Sequence, residues 1–278
     1  MQFGIATFPT DYSISTPDLA VGLEQRGFES LWVAEHSHIP ASRKSPWPGG
    51  DELPKMYYDV LDPFVGLAAA AAVTTRLKLA TGICLVVQRD IFQTAKQVAS
   101  LDQISNGRFL FGVGGGWNAE EMEDHGTAFE SRFLLMRERI EAMKLIWSEH
   151  RAEYHGKLVD FDPLMTWPKP VQQPHPPIHV GGAFPGAVRR AIRYGNGWMP
   201  IHGRDSIVDQ LPTLREMATA AGRDPAEIEV TIYGCPARAD VIEQYRDAGV
   251  HRLVFGLPPD ERDAALSRLD AMAELFQP

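Results

Sequence analysis

A chain of 278 residues, 44% of them hydrophobic, is long enough for one large core, and a single α/β barrel runs to about 250 residues. Its 27 basic and 36 acidic side chains leave a net charge of -9, which argues against a nucleic-acid partner or an anionic membrane surface. Two cysteines, Cys84 and Cys235, are too few for a disulfide framework and read as buried free thiols of a cytoplasmic protein.

Met1 leads directly into an apparent strand with no basic-plus-apolar leader, and the longest apolar run, 65–73, is far short of a membrane span. Strands are predicted at 2–8, 29–34, 77–86, 108–113, 177–181, 197–201, 228–232 and 251–255. A helix is predicted after each in turn, at 17–26, 62–73, 90–105, 130–149, 185–195, 205–221, 238–247 and 260–275. Thr16-Pro17-Asp18 places proline in a first helical turn, and Asn106-Gly107 supplies a helix stop. Asp224-Pro225-Ala226-Glu227 reads as a further short helical start or turn. Eight strand–helix units predict an α/β fold, a (β/α)₈ barrel, over a doubly wound open sheet, for which six strands suffice.

Two regions interrupt the rhythm. Residues 36–60 form a long loop rich in proline, glycine and aromatics. Residues 150–176 hold a hairpin-like piece, 152–154 with 158–161 around His155-Gly156-Lys157, and then a proline-rich run. Long loops within compact domains are usually functional or disordered, so both are expected to form a lid or rim over an active site. With no internal repeat, low-complexity tract or linker, residues 1–278 read as one domain.

In a barrel the reactive groups belong at the carboxyl ends of the strands. There the fourth predicted strand runs into Gly112-Val113-Gly114-Gly115-Gly116-Trp117. Glycines let backbone approach a ligand closely, but Trp117 stands where a dinucleotide fingerprint needs its third glycine or alanine. The fifth strand runs into Gly181-Gly182-Ala183-Phe184-Pro185-Gly186, followed by Arg189, Arg190 and Arg193. Taken alone, this turn fits a phosphate site at a helix start, or a tight βα turn with solvated arginines. Glu35 and His36 end the second strand as a candidate acid/base pair.

His36 and His38, with His179 and His202, bear a partial likeness to the metal-dependent amidohydrolase barrels. Those carry their paired histidines on the first strand and a carboxylate at the end of the eighth. Here the eighth ends Val254-Phe255-Gly256-Leu257, so no metal site is assigned.

Motifs in order along nearly the whole chain resemble the luciferase-like monooxygenase superfamily, in particular its branch of deazaflavin (coenzyme F420)-dependent oxidoreductases. They are Ser30-Leu31-Trp32-Val33-Ala34-Glu35-His36, Ala80-Thr81-Gly82-Ile83, Ala95-Lys96-Gln97 with Leu101-Asp102, and Ser105-Asn106-Gly107-Arg108. After the glycine loop ending Trp117-Asn118 come Trp167-Pro168-Lys169-Pro170-Val171-Gln172, Pro176-Pro177-Ile178-His179-Val180-Gly181-Gly182 and Tyr194-Gly195-Asn196-Gly197-Trp198.

The resemblance implies a (β/α)₈ barrel with an insertion lid and a flavin-like ring across its mouth. Gly82-Ile83 matches the position where relatives carry a non-proline cis peptide behind the ring. Glu35 and His36 match the acidic–histidine pair at the reactive edge, with His36 as proton donor or acceptor. Gly114, Gly115, Gly116 and Trp117 would line the ring and its chain, and Gly181, Gly182, Ala183 and Phe184 would meet the phosphate end. Phe8, Trp47, Tyr57, Trp117, Phe184 and Trp198 would furnish an apolar mouth, and Arg43, Lys44 and Lys55 would meet the acidic tail of F420. The implied activity is hydride transfer between F420 and a small organic substrate. FMN with oxygen and a separate reductase is the alternative within the family, and relatives are often homodimers. A metal hydrolase and a cofactor-binding protein without turnover are the readings outside it.

Overall fold

The computed structural model describes residues 1–203 and 206–276. Its ten strands are β1 (Gln2–Thr7), β2 (Ser30–Val33), β3 (Lys78–Thr81), β4 (Phe109–Val113), β5 (Ala152–His155), β6 (Asp160–Leu164), β7 (Ile178–Gly181), β8 (Gly197–Met199), β9 (Glu229–Cys235) and β10 (Arg252–Gly256). Eight of them close a parallel barrel in the order β1-β2-β3-β4-β7-β8-β9-β10, and β10 returns to β1 from Gln2↔Arg252 to Ala6↔Gly256. That closure removes the free edges of a doubly wound sheet and establishes the predicted barrel.

The helices are α1 (Thr16–Gln25), α2 (Met56–Asp59), α3 (Pro63–Val73), α4 (Ile91–Ile104), α5 (Ala119–Asp124), α6 (Arg132–Ser148), α7 (Gly186–Tyr194), α8 (Ile207–Ala220), α9 (Ala239–Asp247) and α10 (Arg262–Ala273). Their starts follow from side chains that satisfy otherwise free first-turn amides. Ser15 accepts from Asp18 N at 3.2 Å, Asp62 from Val65 N at 3.0 Å and Asp90 from Gln93 N at 2.8 Å. Asn106 and Gly107, at φ 54° and 78°, end α4 and turn the chain into β4. Asp224 caps a short 3₁₀ turn over Pro225–Glu227, as its sequence indicates. The helix predicted at 205–221 begins at Ile207, and Asp205 lies outside the described residues.

Trp32 fills the barrel interior, fully buried among Ala6, Ala80, Leu110, Met199 and Val254. Small neighbours make its place: a Cβ on Gly112 would lie 3.3 Å from the indole and 2.0 Å from the Thr81 carbonyl oxygen. Beneath it, at the amino ends of the strands, Arg252 donates to Glu29 at 2.9 and 3.0 Å, to Glu229 at 3.0 Å and to Thr231 at 3.0 Å. Burial would raise the Glu29 pKa, but the Arg252 hydrogen bonds outweigh it and hold the carboxyl at about 2.

The 150–176 segment is an antiparallel hairpin, β5–β6, followed by a proline-rich run on the outer helices. Glu138 of α6 accepts from the amides of Lys157, Leu158 and Val159 at 3.1, 2.7 and 3.0 Å. Farther on, Lys169 Nζ donates to the carbonyls of Ile146 in α6 and of Glu149 just beyond it, and Gln172 N donates to Asp102 of α4 at 2.9 Å.

Candidate active site

The loops at the carboxyl ends of the strands enclose a cavity of about 550 Å³. One half is walled by backbone: Gly82 and Ile83 after β3, Gly114–Gly116 after β4, and Gly181–Phe184 after β7. The other half is aromatic, with Phe8 after β1, and Trp47 and Tyr57 from the loop after β2. The ring centroids of Phe8 and Tyr57 lie 4.6 Å apart, and those of Trp47 and Tyr57 5.5 Å apart. Trp117, Glu35 and His36 also line the cavity, so the structure brings these residues and the glycine loops to one place, while Arg43, Lys44 and Lys55 do not line it.

The glycine wall exists because side chains would not fit. A Cβ on Gly114 would stand 2.0 Å from Ile83 Cδ1, and one on Gly115 2.8 Å from the Phe133 ring. Gly116 and Gly182 adopt φ 67° and 123°, a region that side chains disfavour. The Gly82–Ile83 peptide is cis, and Tyr233 Oη of β9 donates to Gly82 O at 2.8 Å, fixing this floor from across the barrel.

His36 stands where the two halves meet, with Tyr57 and Trp117 beside its ring. Its Nδ1 lies 2.8 Å from Glu121 Oε2, and the two side chains are 7% and 0% exposed. Ser37 N also donates to Glu121, at 3.1 Å. Burial pushes the Glu121 pKa up, but the hydrogen bond and charge of His36 and the Ser37 amide outweigh it and hold the carboxyl below its usual range. An ionised carboxylate only accepts, so Nδ1 carries a proton and Nε2 is the nitrogen that exchanges one.

Glu35 has a different task from the one its position beside His36 indicates. Its Oε2 accepts from Leu85 N at 2.7 Å, and Oε1 is bound by the guanidinium of Arg89, which reaches Asp62 at 2.7 Å and Gln97 at 3.1 Å. Consecutive residues point to opposite faces of a strand end, so Glu35 and His36 do not meet. Glu35 braces the 82–89 loop beneath the cavity, and the carboxylate partner of His36 is Glu121. Asn118-Ala119-Glu120-Glu121 is legible as a helix start, with Asn118 Oδ1 accepting from Glu121 N at 3.2 Å, but its approach to His36 is not.

At the far end, the Gly181–Gly186 turn leads into α7, and Arg190 reaches back from the helix to line the cavity. Its guanidinium sits 4.1 Å from the Phe133 ring centroid, and its buried Nε has no hydrogen-bond partner among the described residues. Arg132 packs on the same ring at 4.3 Å. Of the other two arginines, Arg193 donates to Glu141 at 3.3 Å and Arg189 is exposed. Trp198 does not join the aromatic mouth. Its indole is fully buried and donates to Gly182 O at 2.9 Å, so it braces the turn from behind.

Comparison with known proteins agrees with this architecture. The profile of luciferase-like monooxygenases matches residues 1–275. The chain belongs to that family. Across 98% of both chains it is 37% identical to an uncharacterised protein of Mycobacterium tuberculosis H37Rv. It is 29% identical to the F420-dependent glucose-6-phosphate dehydrogenase of Kineococcus radiotolerans, over 77% of this chain and 61% of that one. Among solved structures, monooxygenase RslO1 from Streptomyces bottropensis superposes with a TM-score of 0.81 at 23% identity, covering 99% of this chain and 98% of its own.

In this luciferase-like enzyme His38, His179, His202 and the 150–176 segment do not line the cavity. The four histidines considered as metal ligands do not converge: His38 pairs with Asp124 at 3.0 Å, His202 with Tyr245 at 2.9 Å, and His179 is buried inside the barrel near Glu229. Among the described residues, no group of three or more His, Cys, Asp or Glu is placed to hold a metal ion. Nor does 150–176 form a lid, since none of it lines the cavity; its amides at 157–159 donate to Glu138 of α6, and its carbonyls at Trp167 and Lys169 accept from Lys96 and Gln103 of α4. The rim is the 36–60 loop, tied to α5 where Ser45 N donates to Glu120 at 2.9 Å and Ala119 N to Ser45 Oγ at 3.0 Å. No helix among the described residues is long and apolar enough to cross a membrane.

Proposed function

We propose that this luciferase-like enzyme transfers a hydride between coenzyme F420 and a small organic substrate. The observation that carries the reading is the His36–Glu121 pair, set between a backbone wall and an aromatic wall in one cavity. The F420-dependent dehydrogenase relative supports the choice of cofactor.

The residues fit such a ring cofactor. Gly114 and Gly115 present bare backbone to the cavity, packed so closely on Ile83 and Phe133 that no Cβ fits, and the unpartnered Arg190 Nε lies beside the Gly182–Gly186 turn. Gly82, Ile83, Gly114–Gly116 and Trp117 would flank the ring, while Gly181, Gly182, Ala183, Phe184 and Arg190 would hold the phosphate. Of the three bases expected at the acidic tail, Lys55 is engaged by Asp59 and by the Tyr12 ring, which leaves Arg43 and Lys44.

A bound deazaflavin supplies or takes up two electrons as a hydride. Glu121 fixes the tautomer and orientation of His36, and Nε2 gives a proton to the substrate or removes one. The aromatic half excludes water and holds the substrate. Titration of the apoprotein with F420 and, separately, with FMN tests the reading by fluorescence. F420 is expected to bind with a dissociation constant of about 1 μM or lower. Binding of FMN with none of F420 overturns the choice of deazaflavin.

A further inference from the structure

The two ends of the cavity differ in charge as well as in shape. In the barrel order, β7 lies opposite β1, so Arg190 and the Gly181–Gly186 turn face the aromatic half across the mouth. Glu35 and Arg190 are the carboxylate and guanidinium that line the cavity, and Glu35 is neutralised by Arg89. Arg190 is therefore the cavity's one fixed charge without an ion-pair partner among the described residues, and it belongs to the phosphate end.

The aromatic end offers Phe8, Trp47, Pro48 and Tyr57, with His36 as its acid/base group. A charged group buried against such a wall loses its hydration and gains no ion partner. A sugar phosphate would need a second cation here, and an ammonium would find ring faces but no uncommitted carboxylate. Glu121 lies behind His36, committed to Nδ1. Flat apolar bodies, in contrast, match rings at tilted and edge-on angles of 43° and 69°. The cavity of about 550 Å³ must also take the cofactor ring, which restricts the substrate to about the size of one ring.

Resting on the reading that a ring cofactor occupies the glycine half, we infer that the substrate is an uncharged, ring-bearing carbonyl compound or its alcohol. Its body lies against Phe8, Trp47 and Tyr57, and its oxygen meets His36 Nε2. In the reducing direction the carbonyl carbon takes a hydride from the reduced cofactor, and the oxygen takes the Nε2 proton of the His36 imidazolium. The C=O π bond is replaced by C–H and O–H bonds, the cofactor is oxidised by two electrons, and His36 is left neutral. Alcohol oxidation is the same step reversed.

Acetophenone, benzoate and benzylammonium share one ring and differ in charge, so calorimetric titration of each into the F420-loaded protein isolates that variable. Acetophenone is expected to bind at least about tenfold more tightly than either ion. Trp47→Ala is expected to weaken acetophenone about tenfold with F420 affinity unchanged. Tighter binding of benzoate or benzylammonium, no saturable binding of acetophenone, or indifference to Trp47→Ala overturns the inference. The order of the three probes in the wild-type protein needs no variant to fold. Failure of the cofactor reading is seen separately, in titrations with F420 and FMN alone. If FMN is the ligand, the probe order in the FMN-loaded protein still decides the substrate class.

Discussion

In the proposed reaction His36 works only through Glu121. A lone imidazole at a cavity edge is free to turn, and either nitrogen can carry its proton. A carboxylate 2.8 Å from Nδ1 removes both freedoms and leaves Nε2 as the nitrogen free to meet the proposed substrate. Positioned acid–base groups contribute about 10²- to 10⁴-fold to rate. His36→Ala is therefore expected to lower turnover at least about 100-fold while F420 affinity stays within a few-fold. Glu121→Gln should follow it part of the way, because the amide keeps the shape and loses the charge. Steady-state rates beside cofactor titrations check both, and unchanged turnover in His36→Ala would make the imidazole a structural group only.

Among the elements, the βα loops divide the work. The loops after β3, β4 and β7 present backbone to the cavity, and the loops after β1 and β2 supply its aromatic half. The β5–β6 hairpin, by contrast, contributes to stability. Glu138 gathers three of its amides, and burial, which alone would raise the carboxyl's pKa, is outweighed by those hydrogen bonds. Glu138→Ala leaves three donors without their acceptor and is expected to cost about 2 kcal/mol or more in urea unfolding. Its F420 affinity should match the wild type, and a loss of cofactor binding would return the hairpin to the active site.

For the whole molecule, the polar layer under Trp32 links folding to pH. His179 is fully buried, and burial first, then the charge of Arg252, push its pKa down from 6.5 to about 4. The unfolded chain takes up this proton at higher pH than the folded one. The contribution is thus complete above about pH 6.5 and is lost progressively as pH falls towards 4. It amounts to about 3 kcal/mol from the size of that shift. Urea unfolding followed from neutral pH to pH 5 should show the decline, and His179→Phe should lessen that slope, with the part due to His175 and His251, whose pKa values burial also lowers, remaining.

Strand and helix periodicity, the helix caps and the glycine runs were legible in the sequence because each is set by neighbouring residues. They give the eight units, their order and the turns that end in bare backbone. Gly114–Gly116 already signalled a close backbone approach, whereas Gly181–Gly182 by itself fitted a tight βα turn as well as a phosphate site. Tertiary structure decided the pairings across the barrel. It joined His36 to Glu121, 85 positions away, and turned the adjacent Glu35 to Arg89. It withdrew Trp198 into the core and laid 150–176 on the outer helices, whose carboxylates and carbonyls satisfy its polar groups. Local chemistry writes the elements, but a side chain's partner depends on which strand ends the closed barrel brings face to face.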